Sequence, residues 1–137
     1  MSGESSDQGD IGMNEIAARI ESLSAVTLTV SEIGRSVRFY ESLGFQQRAG
    51  HAVPGFASFV LGGAAPGYLN LLEGEHGQVE GWGRVIVYVA DVDAFYRHAL
   101  AAGAAPEFAP RDAPWGERYF HLRDPDGHEL SFARPLA

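Results

Sequence analysis

A chain of 137 residues, 45% of them hydrophobic, can bury a core of its own without metal or disulfide staples. It contains no cysteine and its ten basic residues are all arginine, which excludes thiol nucleophiles, disulfides, cysteine-based zinc sites and lysine Schiff bases. A formal net charge of -8 argues against nucleic acid, no apolar run reaches membrane-spanning length, and Met1 to Asp10 lack the basic start and apolar core of a signal peptide. The expectation is a cytoplasmic protein with neither nucleic acid nor membrane as partner.

Residues 1–12 are rich in Ser, Gly and acids and read as a disordered tail. Ile16, Ile20 and Leu23 recur at helical spacing, so a short amphipathic helix is expected over Asn14–Leu23, its apolar stripe covering its own domain or, preferably, touching a partner subunit. One domain follows over 24–134, in two modules, 24–73 and 83–134.

Module one opens with a strand at Ala25–Val30, in which Val26, Leu28 and Val30 alternate with small or polar residues. A helix over about Arg35–Leu43 carries Ser36, Phe39, Tyr40 and Leu43 on one side and stops at Gly44. Strands are expected at 45–51, 56–61 and 68–73, divided by Pro54-Gly55 and by the turn-rich stretch Gly62–Gly67.

Module two repeats the phrase. A strand at 84–89 leads through the helix cap Asp91 into a stripe of Val92, Phe95, Tyr96, Ala99 and Leu100, closed by Gly103. Strands are expected at 106–109, 117–123 and 128–133, the last two joined by the type I turn sequence Asp124-Pro125-Asp126-Gly127. The opening strands are offset by 59 residues (Val26 to Val85) and the aromatic pairs by 56 (Phe39 to Phe95), the spacing of a duplicated module rather than a solenoid. The fold class expected is α+β: two tandem βαβββ modules with a cavity between them.

Phe39-Tyr40 with Leu43-Gly44-Phe45, followed by Pro114-Trp115-Gly116-Glu117-Arg118 and Asp124-Pro125-Asp126-Gly127, resembles the vicinal oxygen chelate superfamily over about residues 24–134. That superfamily includes glyoxalase I, extradiol dioxygenases, fosfomycin-resistance enzymes and bleomycin-resistance proteins, and Pro114 to Phe132 looks most like the last branch. The resemblance implies a curved eight-stranded sheet around a cavity, usually in a homodimer. In metal-using members four side chains, typically His, Gln and Glu, hold a divalent ion on the inner face. Carried over by motif, those places fall on Ala25, Asn70, Arg84 and Ser131. Alanine offers no ligand atom, arginine repels a cation, and Asn and Ser give weak neutral oxygens, so neither a metal nor any other cofactor is expected. A nonstandard site from His121, Glu129 and one further group is the alternative; Glu73 should face away.

Candidate binding residues follow from inward parity and chemistry. Arg84 is suited to a carboxylate or phosphate, or else to an internal ion pair with Glu129. Asn70 and Ser131 can add neutral hydrogen bonds, Tyr88 and Trp115 aromatic walls with Tyr68 and Tyr119 in lesser roles, and His121 a polar or basic group. His51 and His76 are loop histidines without an evident orienting partner, His98 reads as a helix-surface residue, His128 sits beside a turn, and Asp124 and Asp126 read as turn formers. No catalytic residue is assigned. The function expected is metal-independent binding of a small molecule, an antibiotic or an aromatic or anionic metabolite; the alternative is a glyoxalase- or dioxygenase-like metalloenzyme with a displaced site.

Overall fold

The computed structural model describes residues 17–50 and 53–137. Within it the alternation at Ala25–Val30 produces strand β1, whose Leu28 and Val30 are buried while Thr27 and Thr29 are exposed. Helix α1 (Ile33–Ser42) follows, then β2 (Gln46–Gln47), β3 (Phe56–Leu61) and β4 (Gly67–Glu73). Module two gives β5 (Arg84–Tyr88), α2 (Val92–Ala101), β6 (Arg111–Asp112), β7 (Glu117–Arg123) and β8 (Glu129–Pro135). The eight strands form two four-stranded sheets of identical plan, β1-β4-β3-β2 and β5-β8-β7-β6. In each sheet the first strand pairs parallel to the fourth and the rest are antiparallel. The α+β fold of two tandem βαβββ modules is therefore present. No helix among the described residues is long and apolar enough to cross a membrane.

Each helix starts and stops for a local reason. At α1 the Glu32 side chain caps nothing, and the Ile33 N–H donates instead to Glu73 Oε2 (2.9 Å) at the end of β4, so Glu73 does face away from the open side of its sheet. At α2 the expected cap forms, with Asp91 Oδ1 accepting from the Ala94 N–H at 3.0 Å. Gly44 and Gly103 turn the chain out of the two helices with φ of +105° and +89°.

The helices pack on one face of their sheets, and the two modules share a single core in which Tyr40, Phe45 and Phe59 meet Phe95, Phe120 and Phe132. Phe45 and Phe132 stand edge to face at 6.3 Å across the module boundary. Leu100 departs from the expected stripe, being 48% exposed.

Other departures are short-range. The strand expected at 106–109 is one backbone bond, Glu107 N–H to His121 O (2.8 Å), and the ladder begins only at Arg111, because Pro106 and Pro110 have no N–H to donate. The strand expected at 45–51 ends at Gln47, with one further bond from the Arg48 N–H to Ser58 O (2.7 Å) before Gly50 turns the chain. Of the helix expected over Asn14–Leu23, the part up to Ile16 lies outside the described residues, as do the tail and His51; residues 19–24 are not helical, and Ile20 and Leu23 are 91% and 78% exposed.

The Asp124–Gly127 turn makes the fold's most constrained contact. Asp124 Oδ1 accepts the Asp126 and His128 N–H groups (3.0 and 2.9 Å), which is its turn-forming role, while Oδ2 accepts the Tyr40 hydroxyl (2.8 Å) from module one. The Asp126 carboxylate reaches the Ser31 N–H (2.9 Å), and Val79 N–H donates to Asp126 O (2.8 Å). The chain passes so close that a β-carbon on Gly127, where φ is +96°, would lie 2.4 Å from Val79 O. Gly127→Ala is expected to cost at least about 2 kcal/mol, since both the left-handed backbone and the clash with main chain oppose it. Urea unfolding checks this, and an unchanged midpoint would refute the packing.

Candidate ligand-binding site

The face of the second sheet turned away from α2 carries the side chains that sequence reasoning singled out. Strand register sets them in three rows: Arg84, Glu129 and Arg123; Ile86, Ser131 and His121; Tyr88, Ala133, Tyr119 and Arg111. Ser131 and Ala133, small and central, are 4% and 1% exposed, whereas the larger Ile86 and Tyr88 beside them are each 58% exposed. Small residues between large ones make a shallow trough whose floor the flanking side chains cover.

Along its charged row, Arg84 Nε donates to Glu129 Oε2, so the ion-pair alternative for Arg84 is the one observed. Glu129 also faces Arg123 Nη2 and His121 Nδ1, both at 3.4 Å, and Arg123 Nε meets Glu107 at 3.0 Å. Burial by itself would raise the Glu129 carboxyl; the Arg84 hydrogen bond and the surrounding charges outweigh it and hold the group below its ordinary value. For His121 burial dominates and lowers the imidazole below its ordinary value, against the upward pull of Glu129, so the ring is neutral at pH 7.

The aromatic end of the trough is continuous. Ring centroids lie 5.5 Å apart for Trp115 and Tyr119, 5.1 Å for Tyr119 and His121, and 5.5 and 5.2 Å from Phe108 to the same two rings. Tyr88 and Trp115 converge on one carboxylate: the Tyr88 hydroxyl donates to Glu117 Oε2, and Trp115 Nε1–H donates to Glu117 Oε1 (3.1 Å). That hydrogen bond raises the Tyr88 phenol above its ordinary value. Trp115 is 66% exposed. Beyond Tyr119 lies Arg111, its guanidinium 3.7 Å from the centroid of Phe108 and 5.6 Å from that of Tyr119.

Asn70 stands apart, on the corresponding face of module one, where it accepts from Ser58 Oγ (2.6 Å) and donates to Thr27 Oγ1 (3.2 Å) in a polar row. Between the first strands of the two sheets is a cavity of about 350 Å³, walled by Ala25, Val26, Tyr68, Val85, Ile86 and Tyr88. Tyr88 therefore belongs both to this cavity and to the trough, and the remaining candidates, Arg84, Ser131, Trp115 and His121, lie on module two alone.

The loop histidines have structural work. His128 is buried, accepts from Trp82 Nε1 at Nδ1 (3.0 Å) and meets Thr29 O at Nε2 (2.8 Å), which fixes the proton on Nε2. His76 lies 3.5 Å from Asp126 Oδ1, an orienting partner that no sequence pattern revealed, and His98 is on the surface as expected.

The fit of a metal can be judged from these contacts. By register Ala25 pairs with Tyr68 and Arg84 with Glu129, so the inner-face positions at the starts of β1 and β5 hold a methyl group and a guanidinium bonded to the carboxylate beside it. These residues do not fit a divalent ion. Glu107, His121 and Glu129 do bring potential ligand atoms within 4.8 Å of one another, but Arg84 and Arg123 already neutralise both carboxylates.

The family's sequence model matches residues 22–132, under the description Glyoxalase/Bleomycin resistance protein/Dioxygenase superfamily. The chain belongs to that superfamily. Among solved structures, a glyoxalase/bleomycin resistance protein/dioxygenase from Nocardioides superposes with a TM-score of 0.70 at 22% identity, covering 95% of this chain and 93% of that one. TioX from Micromonospora sp. ML1 gives 0.65 at 29% identity, covering 85% and 100%. A superfamily enzyme from Burkholderia phytofirmans gives 0.68 at 20% identity, over 85% and 100%. Among curated proteins, uncharacterised proteins of Mycobacterium bovis and Mycobacterium tuberculosis are 46% identical over 48 residues. That stretch is 35% of this chain but only 32% and 28% of theirs, so the chain matches about a third of their length.

Three residues of this superfamily member's trough escaped sequence reasoning: Glu117, Phe108 and Arg111. Glu117 shares the alternation of Tyr119 and His121 and was available from parity. Phe108 falls inside the strand expected at 106–109, where nothing marks it as a site residue, and Arg111 lies beyond that strand's expected end.

Proposed function

We propose that this protein is a metal-independent small-molecule-binding member of the superfamily, capturing a flat ligand in the trough of module two and the cavity beside it. The observation that carries the reading is the Arg84–Glu129 pair, which puts a fixed positive charge where metal-using relatives hold a ligand to their ion. The exposed ring of Trp115 and the half-buried ring of Tyr119 supply stacking area. Sequestration of an antibiotic or an aromatic metabolite is the biological role this supports. Exposed Ile86 and Tyr88, with Ile20 and Leu23, support the expected homodimer.

Two measurements test the proposal. Elemental analysis after purification in metal-supplemented, chelator-free buffer is expected to find less than about 0.1 divalent ion per protomer; a stoichiometric ion would overturn metal independence. In ¹⁵N-labelled protein, flat aromatic compounds at about 1 mM are expected to shift the Trp115 indole N–H resonance, and Trp115→Ala to weaken their binding about tenfold. No shift from any of a broad set of such compounds would remove the trough from consideration.

A further inference from the structure

We infer that the ligand captured on module two is a planar carboxylate and that Arg111, rather than Arg84, is the cation that fixes it. The inference rests on the binding role proposed for the trough and adds the chemical class of its occupant.

Three arginines face this side of the sheet, and their partners differ. Arg84 and Arg123 are matched by Glu129 and Glu107, and inserting an anion there would mean breaking existing ion pairs. Arg111 has no carboxylate within ion-pairing distance among the described residues. Its side chain makes one hydrogen bond, from Nε to the Tyr119 hydroxyl (3.3 Å), and both terminal nitrogens lack a protein partner among those residues. A carboxylate accepts two parallel N–H bonds from such a fork.

The guanidinium is also held in place before any ligand arrives. Stacked on Phe108 and flanked by Tyr119, it keeps a fixed plane, so little side-chain freedom is lost when an anion docks. The same Tyr119 ring contacts Trp115, so a flat body lying on those rings carries its acidic group toward Arg111. Module one repeats the device, with Arg48 lying 3.8 Å over the ring of Tyr68. In a chain of formal net charge -8, a stacked and unpaired cation on an open aromatic surface supplies the local attraction an anion needs. Glu117, the nearby carboxylate with the best claim on a cationic ligand, already accepts from Tyr88 and Trp115.

Calorimetric titration of the full chain with 2-naphthoate, 2-naphthamide and 2-naphthylmethylammonium tests the inference. The naphthoate is expected to bind about tenfold more tightly than the amide, and the ammonium compound most weakly. Arg111→Gln is expected to bring naphthoate down to the affinity of the amide and leave the amide unchanged, with Arg111→Lys intermediate. Arg38→Gln, which removes one positive charge from the surface of α1, is expected to change neither. Arg111 is exposed with one side-chain bond, so its variants are expected to unfold at the wild-type temperature. Equal binding of naphthoate and amide, tightest binding of the ammonium compound, or an Arg111→Gln protein that still prefers naphthoate would each overturn Arg111 as anchor while leaving the trough a binding site. Failure of all three compounds to bind would remove the trough and the inference together.

Discussion

Replacing Phe132 with alanine is expected to lower the unfolding free energy by about 3–5 kcal/mol. The residue is fully buried, and its ring touches Phe120 and Phe95 at 5.6 and 4.5 Å and Phe45 of module one at 6.3 Å. Truncation removes apolar area from the core and leaves a void between elements that belong to different modules, so neither half can close it by moving alone. Phe132→Leu, which keeps most of the volume, is expected to cost roughly 1–2 kcal/mol. Urea midpoints decide the matter: a loss below about 1 kcal/mol for the alanine variant would mean that the two modules do not share a core.

The second large effect is expected at Asp126. Its side chain is 3% exposed, and Asp126→Ala strands the Ser31 N–H and deprives Arg35 and His76 of their common partner. About 3 kcal/mol is expected, most of it from polar groups left unpaired rather than from the partly exposed Arg35 charge. Burial by itself would raise the Asp126 carboxyl, but hydrogen bonding from Ser31, with Arg35 and His76 nearby, holds it below its ordinary 3.8. A lowered native value means that the unfolded chain binds more protons in the window between the two values. The stabilisation is therefore complete above the unfolded value and is lost as pH falls through the native one. Asp126→Asn is expected to show a shallower loss of stability below about pH 4 than wild type, and an acid limb of unchanged steepness would contradict this. Glu129 and Asp93 are lowered in the same sense. His121 adds an earlier loss below its ordinary 6.5, because its proton is easier to bind once the chain unfolds. Tyr40 bounds the other side: burial, then the Asp124 charge, raise its phenol, so its contribution holds below 10 and disappears as pH climbs through the native value.

The duplication was legible because its signals are local. Period-two alternation placed β1, turn residues and the repeat placed β3, β4, β5 and β7 nearly to the residue, and Gly44 and Gly103 ended both helices where expected. The two-residue strands β2 and β6 carry no period, and proline moved β6 past the place its sequence suggested. Parity also found the open face of module two, since alternate residues of β5, β7 and β8 cannot choose a different side. Which of those residues are already engaged was only partly legible: the ion pair of Arg84 with Glu129 was one of two readings, whereas Tyr88 on Glu117 and Asn70 between Ser58 and Thr27 join residues distant in the chain, and nothing local marked Trp115 as a donor to Glu117 two residues on. Nor did the Asp-Pro-Asp-Gly turn announce that its carboxylates cross to module one, 95 residues away in the case of Ser31.

The two first strands, β1 and β5, are each paired on one side only, and among the described residues no ladder bond joins them to each other. At the Thr29 end of β1 the gap is stitched by His128, Trp82 and the Asp126 carboxylate; at the Ala25 end it widens into the cavity beside Tyr88. Parting the modules along that seam would break no strand pairing, yet it would separate Phe45 from Phe132 and open the shared core, so what joins the halves is side-chain packing and a few hydrogen bonds rather than backbone ladder.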